Sequence, residues 1–423
     1  PVIIAERHNR IHRLPMMEQI AATRAVKDLV AAHDYLGAIQ ARGASFGRML
    51  ELFETMSTPP AEPATDAGST PSASDRPKRV AIIHAGGLAP GMNTAARAAV
   101  RLGIDHDFTM LGVYGGFPGL LDGDVRELTW ADVEGWVGDG GAQLGTRREV
   151  PTIEQLYALG RAIELHEIDA LLVIGGYNAY LSAYRLVTER DRYPAFQIPI
   201  VCVPASIDNN LPGSELSIGT DTALNNAVVA LDSIKLSAAA SHRCFVAEVM
   251  GRKCGYLSLM SGLATGAEKV YLNEEGITLA GLAADSERMV ESFRSGRSLY
   301  LVIRNERASV NYTTDVLAHI FAEEGKGLYD VREAILGHQQ QGGSPTAFDR
   351  IMATKLVAHS LELLACALKR GEPTASYVGL VRGKVSDHPL DRMNDDLDRD
   401  HRRPRHQWWL GLRPAVGLVS QDI

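Results

Sequence analysis

Short apolar runs alternate with amphipathic helical patterns from residue 79 onward, and this alternation constrains the fold more than any other feature of the chain. Strand patterns are predicted at 79–85, 110–114, 169–174, 198–203, 245–250 and 298–304, with helices at 93–103 and 222–237 between them. Strands that alternate with helices form a mostly parallel sheet covered by helices. At 423 residues, the chain is long enough for two lobes. The sequence therefore predicts a two-lobed α/β fold with doubly wound, mostly parallel sheets.

Two segments precede this region. Residues 16–56 carry apolar side chains at three- and four-residue steps, which predicts helices. Residues 57–78 are rich in Pro, Ser, Thr and Ala and have almost no large apolar side chain, which predicts a flexible linker. The start, Pro1-Val2-Ile3-Ile4, has neither an initiator Met nor a signal-peptide pattern, which indicates a fragment of a longer chain.

Composition narrows the class of protein. The net charge of −8 gives no basic footprint for nucleic acid or anionic lipid, and no apolar run reaches the ~18 residues that span a bilayer. We therefore expect a cytoplasmic protein that binds neither nucleic acid nor membranes. Its four cysteines lack ligand spacing, which favours buried, reduced thiols; they are Cys202, Cys244, Cys254 and Cys366.

The loop after the fourth predicted strand is the most informative stretch for function. It reads Pro-Ala-Ser-Ile-Asp-Asn-Asn-Leu-Pro-Gly over residues 204–213, so hydroxyl, carboxylate and amide groups crowd one strand end. Open α/β sheets bind ligands at the carboxyl ends of their strands. The loop therefore predicts a ligand site that includes Ser206, Asp208 and the two asparagines.

Two glycine-rich turns also follow predicted strands. One is Gly-Gly-Leu-Ala-Pro-Gly-Met-Asn at 86–93, and the other is Gly-Gly-Tyr-Asn-Ala at 175–179. Tight strand-to-helix turns favour glycine for steric reasons alone, but backbone amides at a helix N-terminus also bind anions. Two such turns beside the Asp208 loop indicate one polyphosphate cleft.

Arginines recur next to these segments. Arg147 and Arg148 follow a glycine-rich stretch, Arg243 and Arg252 stand at the two ends of a predicted strand, and Arg332 precedes His338 by six residues. Most surface arginines are simply solvated, and a lone histidine is more often a core residue than a ligand. Planar guanidinium groups nevertheless suit phosphate recognition, so a phosphate role stands as the alternative.

These motifs together resemble the 6-phosphofructokinases, in the family's order and over nearly the whole chain. The similar segments are GGLAPGMN, YGGFPGLLDG, LGTRR, VIGG, PASIDNNLPGSELSIGTDTALN, VAEVMGRKCGYLSLMSGLA and GHQQQGGSPTAFDR. The helical start, the 311–315 and 323–327 segments and the terminal Gln407-Trp408-Trp409-Leu410 resemble the C-terminal half of the tandem, eukaryotic-type enzyme. The resemblance implies a phosphofructokinase-like fold over 79–423, with 1–56 as the end of a preceding half and its bridge.

Active members carry acidic residues that this sequence lacks. Leu88 stands for the aspartate after the first Gly-Gly, Tyr177-Asn178-Ala179 for Asp-Gly-Ser, and Asn210 for the second aspartate of the Thr-Ile-Asp-Asn-Asp loop. Phosphoryl transfer depends on Mg²⁺ to neutralise charge. The resemblance therefore implies Mg²⁺ and ATP for the whole enzyme, but a degenerate nucleotide cleft and no metal site in this half, at Gly87, Leu88, Tyr177, Asn178 and Ala179.

The sugar-phosphate contacts of the family are largely present. This half is therefore expected to bind fructose 6-phosphate or fructose 2,6-bisphosphate, to pair with an N-terminal catalytic half and to form a homo-oligomer, a tetramer, in which Arg243 and Arg332 reach a neighbouring subunit or half. The implied contact residues are Arg148, Ser206, Ile207, Asp208, Asn209, Asn210, Arg243, Met250, Gly251, Arg252, Glu306, Arg332, His338, Gln339, Gln340, Gln341 and Arg402.

Asp208 differs from the replaced acidic residues, because this sequence keeps an aspartate at the position of the family's catalytic base. It is able to deprotonate a sugar hydroxyl or to accept a hydrogen bond from a bound effector, and the binding role is favoured. Gln341, where catalytic sites carry an arginine, also indicates an altered ligand. Two rival interpretations remain: an independently active kinase that uses Asp208, and a non-enzymatic assembly scaffold.

Overall fold

The computed structural model describes residues 76–420, together with Ile3–Ile4, Ile11–His12, Leu29 and Ala32. It divides into two units, residues 1–75 and 76–423. In the first unit, Ile3–Ile4 pairs antiparallel with Ile11–His12. The helices predicted in 16–56 and most of the 57–78 linker lie outside the described residues.

A seven-stranded sheet forms the first lobe of the second unit. The strands are β1 (Arg79–Ala85), β2 (Thr109–Val113), β3 (Val125–Glu127), β4 (Ala170–Gly175), β5 (Ile200–Pro204), β10 (Ala375–Val381) and β11 (Lys384–Pro389). Their order in the sheet is β11-β10-β5-β4-β1-β2-β3, and only the pairs β10–β11 and β2–β3 are antiparallel. Its helices are α1 (Met92–Asp105), α2 (Gly116–Leu121), α3 (Leu156–Leu165), α4 (Tyr177–Thr188), α9 (Ala347–Arg370) and α10 (Met393–Asp396).

A four-stranded, wholly parallel sheet forms the second lobe, in the order β9-β6-β8-β7. Its strands are β6 (Arg243–Val249), β7 (Lys269–Tyr271), β8 (Leu299–Asn305) and β9 (Asp330–Ile335). Helices α5 (Thr220–Ala239), α6 (Tyr256–Thr265), α7 (Leu279–Arg294), α8 (Thr314–Gly325) and α11 (Ala415–Val419) accompany it, and a two-residue ladder joins β12 (Leu397–Asp398) to β13 (Arg403–Pro404).

Burial on both faces explains why β1, β4 and β5 read as continuous apolar runs. All residues of β4 and β5 and all but the first of β1 are buried, as expected for parallel strands covered by helices on two sides. The alternation of apolar runs and helices thus predicts the class and six of the strands correctly, with bounds that differ by at most two residues.

Asp349 on α9 links the lobes. Its buried carboxylate accepts hydrogen bonds from the backbone N–H of Gly219 at 2.9 Å and of Thr222 at 2.8 Å, and from the Thr222 hydroxyl at 2.5 Å. These bonds satisfy the free amides at the start of α5. Helix α9 is therefore anchored to the loop that leads out of the predicted ligand site.

Helix α9 is, among the described residues, the one helix long and apolar enough to cross a membrane by length and composition. Its buried residues, among them Met352, Leu356 and Leu361, belong to the same core cluster as the apolar face of α1. Its hydropathy is therefore that of a core helix between two layers.

Two predictions need adjustment. Cys202, Cys244 and Cys254 are buried and free as expected, but Cys366 is exposed because it lies on the outer face of α9. The end of the predicted linker is folded: the Arg76 guanidinium contacts Asp169 at 2.7 Å and Lys78 contacts the same carboxylate at 3.6 Å. The second unit therefore includes the last three residues of the predicted linker.

A candidate sugar-phosphate site

A cleft of about 320 Å³ lies where the carboxyl ends of strands from both sheets meet, a volume within the usual range for small-ligand sites. Most of its lining comes from the segments that the sequence singled out. The lining residues are Gly86, Gly87, Leu88, Arg148, Gly176, Tyr177, Asn178, Ser206, Ile207, Asp208, Asn210, Met250, Arg252, Lys253, Arg307, Gln341, His401 and Arg402.

The two glycine turns converge at one wall of this cleft. The N–H of Gly86 donates to the Arg147 carbonyl at 2.8 Å, and the N–H of Gly176 donates to the Ala85 carbonyl at 3.3 Å. Gly86 has φ +103°, and a Cβ there would stand 3.2 Å from the Gly176 nitrogen. Only glycine allows this approach without strain. Both turns and the Asp208 loop line one cleft, as predicted, whereas polyphosphate binding there stays a prediction.

Side chains close the space above these turns. The Gln341 amide donates to the Leu88 carbonyl at 3.1 Å, and its oxygen lies 2.8 Å from His338 Nδ1. Asn178, in the first turn of α4, donates to the Arg148 carbonyl. The Tyr177 side chain lines the cleft, whereas Ala179 is fully buried in the core. No carboxylate among the lining residues stands on this side.

The loop after β5 is shaped by its own side chains. Asn209, at φ +50°, donates to the Glu215 carbonyl at 2.8 Å and accepts from the Ser217 N–H at 2.9 Å. Its amide is thus directed into the loop, away from the cleft. The Ser206 hydroxyl donates to the side-chain amide oxygen of Asn210 at 3.2 Å and accepts from the Asp208 N–H at 3.3 Å. Ser206, Asp208 and Asn210 line the cleft as predicted.

Asp208 is the one carboxylate among the described residues that line the cleft. Its pKa is raised to about 6: burial is the largest cause, the nearby Glu306 carboxylate adds to the rise, and Arg252 and Arg148 oppose it. Desolvation disfavours the charged form of a carboxyl group, as a neighbouring negative charge also does. Asp208 is therefore ionised at neutral pH but close enough to its pKa to exchange a proton.

Glu306 positions the turn that carries Arg252. One of its carboxylate oxygens accepts the N–H of Gly251 at 3.2 Å and the N–H of Arg252 at 2.7 Å. Gly251 has φ +140° and Arg252 φ +38°, both rare for residues with a side chain. Glu306 lies behind the cleft wall, where it fixes this turn and acts on Asp208 through its charge.

A buried arginine supports Glu306 in turn. Arg304, 2% exposed, pairs with Glu248 at 2.7 Å and donates to the carbonyls of Glu306, Ser309 and Tyr312 at 3.2, 2.7 and 2.9 Å. Buried charges are tolerated when they are paired and fully hydrogen-bonded. The loop that bears Glu306 and Arg307 is therefore held rigidly at the carboxyl end of β8.

The cleft is strongly cationic. Within residues 76–420, the guanidinium groups of Arg148, Arg252, Arg307 and Arg402 make no ion pair, and the Lys253 ammonium donates only to the Asp400 carbonyl, at 2.5 Å. Lys253, Arg307 and His401 were not predicted to belong to the site. The first two directly follow the predicted Arg252 and Glu306, which was the available signal.

Several predicted residues lie elsewhere. Arg243 begins β6, about 20 Å from its carboxyl end at 3.3 Å per residue, and Arg332 lies on the edge strand β9. Each contacts Asp330 at 3.7 Å. His338 and Gln339 are exposed at the surface, and Gln340 is buried with its amide on the Gly337 carbonyl at 3.2 Å. Arg243 and Arg332 thus do not line this chain's own cleft.

A larger cavity, of about 1220 Å³, opens at the amino-terminal ends of β7 and β8. Several of its cations are paired with carboxylates, among them Arg297 with Glu268 at 2.7 Å and Lys269 with Asp285 at 2.9 Å. The arginines that line the first cleft make no such pairs within residues 76–420.

Comparison with known proteins agrees with this architecture. The family model described as phosphofructokinase matches residues 79–364. The chain is 41% identical over 423 residues to "ATP-dependent 6-phosphofructokinase" of Dictyostelium discoideum, covering 99% of this chain and 50% of that protein. It is 38% identical over 432 residues to the human "ATP-dependent 6-phosphofructokinase, platelet type", covering 99% and 54%.

A solved structure is similar over the same extent. "Structure of phosphofructokinase from Saccharomyces cerevisiae" superposes with a TM-score of 0.78 at 32% identity, over 97% of this chain and 56% of that one. The chain thus spans about half the length of the relatives it resembles.

Proposed function

The chain belongs to the phosphofructokinase family, and from that premise we propose that it is one half of a tandem ATP-dependent 6-phosphofructokinase. The whole enzyme would transfer the γ-phosphoryl group of ATP to fructose 6-phosphate and yield fructose 1,6-bisphosphate and ADP in the cytoplasm. This half would bind a sugar phosphate, such as fructose 2,6-bisphosphate, as an effector. The coverage of about half of each relative supports the tandem arrangement.

One observation carries the effector role: four unpaired guanidinium groups converge on a cleft with a single carboxylate. Unpaired cations in a recess attract anions, and guanidinium groups hold phosphate oxygens in pairs. Arg148 and Arg252 approach Asp208 closely enough to lower its pKa. A sugar bisphosphate would therefore meet cations from both lobes, with Asp208 accepting a sugar hydroxyl.

The residues present do not fit the Mg-nucleotide that the active half of the family uses. Mg²⁺ binds through carboxylates and phosphate oxygens, yet Leu88 and Tyr177 stand where the family's acids would. The Leu88 carbonyl already accepts a hydrogen bond from the Gln341 amide. Asp208 alone remains, among several cations. We therefore assign no phosphoryl-transfer step to this half.

Partners follow from the arginines outside the cleft. Arg243 and Arg332 are partly exposed and share Asp330 at 3.7 Å. We infer that they reach the site of a neighbouring half, which would couple ligand binding to quaternary state in a tetramer that includes N-terminal catalytic halves.

Calorimetric titration tests the binding role. The chain should bind fructose 2,6-bisphosphate more tightly than inorganic phosphate at equal ionic strength, because both lobes engage the bisphosphate. Arg252→Met should remove most of that difference. Equal affinity for both ligands, or no binding by a folded chain, would favour an assembly scaffold.

A second candidate function, an independently active kinase, is favoured by the Asp208 pKa of about 6, because a base is most useful when its pKa is near the working pH. Steady-state turnover with fructose 6-phosphate and Mg-ATP, or with pyrophosphate as the donor, tests it. Turnover that disappears in Asp208→Ala would establish this half as catalytic. Turnover that persists in Asp208→Ala would come from a contaminating kinase.

A further inference from the structure

A short hairpin reaches the cleft from the C-terminal part of the chain. We call residues 397–404 the strap. Its arms pair as Leu397 with Pro404 and Asp398 with Arg403. One Asp398 oxygen accepts the N–H groups of Asp400 and His401 at 3.0 and 3.1 Å, and the other lies 2.7 Å from His401 Nδ1. Arg402 lies at the end of this turn and lines the cleft.

The second lobe holds the strap by charged side chains. The Arg403 guanidinium donates to the Lys253 carbonyl at 2.6 Å and pairs with Glu274 at 3.1 Å, in a contact that is nearly buried. The Lys253 ammonium donates to the Asp400 carbonyl at 2.5 Å. These contacts fix the outer part of the turn, but none of them reaches Arg402.

Arg402 is instead contacted from the first lobe by two residues. The Asn210 amide nitrogen donates to the Arg402 carbonyl at 2.9 Å, and its oxygen accepts from the Ser206 hydroxyl at 3.2 Å. The Arg402 guanidinium lies 5.5 Å from the centre of the Tyr177 ring, within the range of a cation–π contact. One residue thus holds the backbone of Arg402 and the other holds its side chain.

The backbone of Arg402 needs such support. Its φ is +53°, a left-handed conformation that residues with a Cβ seldom adopt. Strained residues persist where surrounding contacts fix them, often at ligand sites. Asn210 suits this task because its amide offers a donor on one side and an acceptor on the other. A carboxylate of the same shape would place an oxygen against the Arg402 carbonyl.

We propose that Asn210 and Tyr177 are positioning residues that hold Arg402 of the strap in the cleft, so that it is preorganised for a sugar phosphate. The proposal deepens the effector role and rests on the proposed function for its ligand. Asn210 and Tyr177 are also two of the positions where the sequence departs from the motifs of active members. In this chain those two side chains contact Arg402 instead.

The test uses two readouts on the 423-residue chain: affinity for fructose 2,6-bisphosphate by calorimetry, and deuterium uptake of the strap in the ligand-free protein. The variants are Asn210→Asp, which removes the donor at constant shape, and Tyr177→Leu, which removes the ring. Asn311→Asp and Tyr157→Leu, at exposed positions outside the cleft, are the matched controls. Tyr177→Phe, which keeps the ring, should restore most of the affinity.

Asn210→Asp and Tyr177→Leu should each weaken binding about tenfold, as expected for the loss of one contact to a charged or strained group, and Asn210→Asp should speed exchange in the strap. In an Arg402→Met background, Tyr177→Leu should cause no further loss, because its effect acts through Arg402. Two results would overturn the proposal. One is that Tyr177→Leu weakens binding as much in the Arg402→Met background as in the parent chain, and the other is that Asn210→Asp leaves deuterium exchange of the strap unchanged.

The two readouts separate this proposal from the effector role. A parent chain that binds no sugar phosphate, but whose strap exchange still depends on Asn210, would refute the effector role and leave the positioning role intact. If Asn210→Asp does not fold, the Tyr177 series with its Arg402→Met cycle decides the question alone.

Discussion

The two sides of the cleft are both built on glycine-containing turns, but they differ in the chemistry of their side chains. On the glycine-turn side, Gly86 and Gly176 approach each other closely, yet Leu88 and Tyr177 offer no charge. On the arginine side, Gly251 adopts φ +140° in front of Arg252. Both sides retain the backbone of a phosphate-binding cleft, but the residues of the two glycine turns carry no charge, and the guanidinium that lies against Gly87 belongs to Arg148, outside the turns. Backbone geometry and site chemistry are therefore separable in this fold.

The largest expected effect concerns the backbone of the arginine side. A Cβ at Gly251 would lie 2.4 Å from the Cys254 carbonyl oxygen, so Gly251→Ala combines a disfavoured φ with a steric clash. We expect a loss of roughly 4 kcal/mol in the free energy of unfolding, measured by urea denaturation.

Gly86→Ala, on the glycine-turn side, should cost less, roughly 2 kcal/mol, since its nearest atom would be at 3.2 Å. Gly411→Ala is the control, because a Cβ there meets nothing within 4 Å. If Gly251→Ala and Gly411→Ala were equally stable, the turn before Arg252 would not be rigid.

The adjacent residues Arg147 and Arg148 test whether ligand binding depends on the cleft or on surface charge in general. Arg148 lines the cleft, whereas Arg147, the adjacent residue, does not. Arg148→Met should weaken sugar-bisphosphate binding by about 2 kcal/mol, or roughly thirtyfold, the usual size of a charge-assisted hydrogen bond. Arg147→Met should leave the calorimetric affinity nearly unchanged. Similar losses in both variants would mean that general surface charge, rather than the cleft, binds the ligand.

Asp208 tests the electrostatic side of the comparison. Its folded-state pKa of about 6 exceeds the ordinary value of about 4, so the folded state binds a proton more tightly. The contribution of Asp208 to the free energy of unfolding therefore falls as the pH rises from about 4 to about 6. Asp208→Asn should stabilise the chain at pH 7.5 by roughly 2 kcal/mol.

The difference in unfolding free energy between parent and Asp208→Asn should disappear below about pH 4. Asp349, whose pKa burial also raises to about 6, titrates in both proteins and cancels in this comparison. A gain that does not depend on pH would show that Asp208 is not held in a desolvating environment.

The smallest effect is expected on the glycine-turn side. His338 contacts only the Gln341 oxygen among the hydrogen bonds of the described residues, at 2.8 Å. His338→Ala should cost about 1 kcal/mol or less of ligand affinity, through a less ordered Gln341. A loss as large as that of Arg148→Met would instead indicate that the imidazole contacts ligand directly.

The sequence predicted those parts of the site whose position follows from local rules. Polar residues directly after a parallel strand lie at the sheet's carboxyl edge, so the 204–213 loop and both glycine turns were located correctly. Arg148 and Arg252 were singled out by their places after a glycine-rich segment and a predicted strand, and Arg402 through the family resemblance; all three line the cleft.

Other site residues depend on contacts between distant segments. Asn209 was predicted to contact ligand, but its amide bonds Glu215 and Ser217 because the loop folds back on itself. Lys253 and Arg307 were missed although each directly follows a predicted residue, and His401 was missed because no local pattern indicates that it meets Lys253 at one cleft. The place of Arg243 and Arg332 in a neighbouring half stays a prediction.

The sequence by itself determined the α/β class, the parallel strands, the family and the loss of acidic groups on the glycine-turn side. Hydrophobic periodicity and glycine turns are local properties, so they can be recognised in the sequence. Only the tertiary structure decided that Asn210 and Tyr177 meet Arg402, from which they are separated by 192 and 225 residues of sequence. Such contacts arise from the packing of two lobes and a C-terminal strap, and no local pattern encodes them.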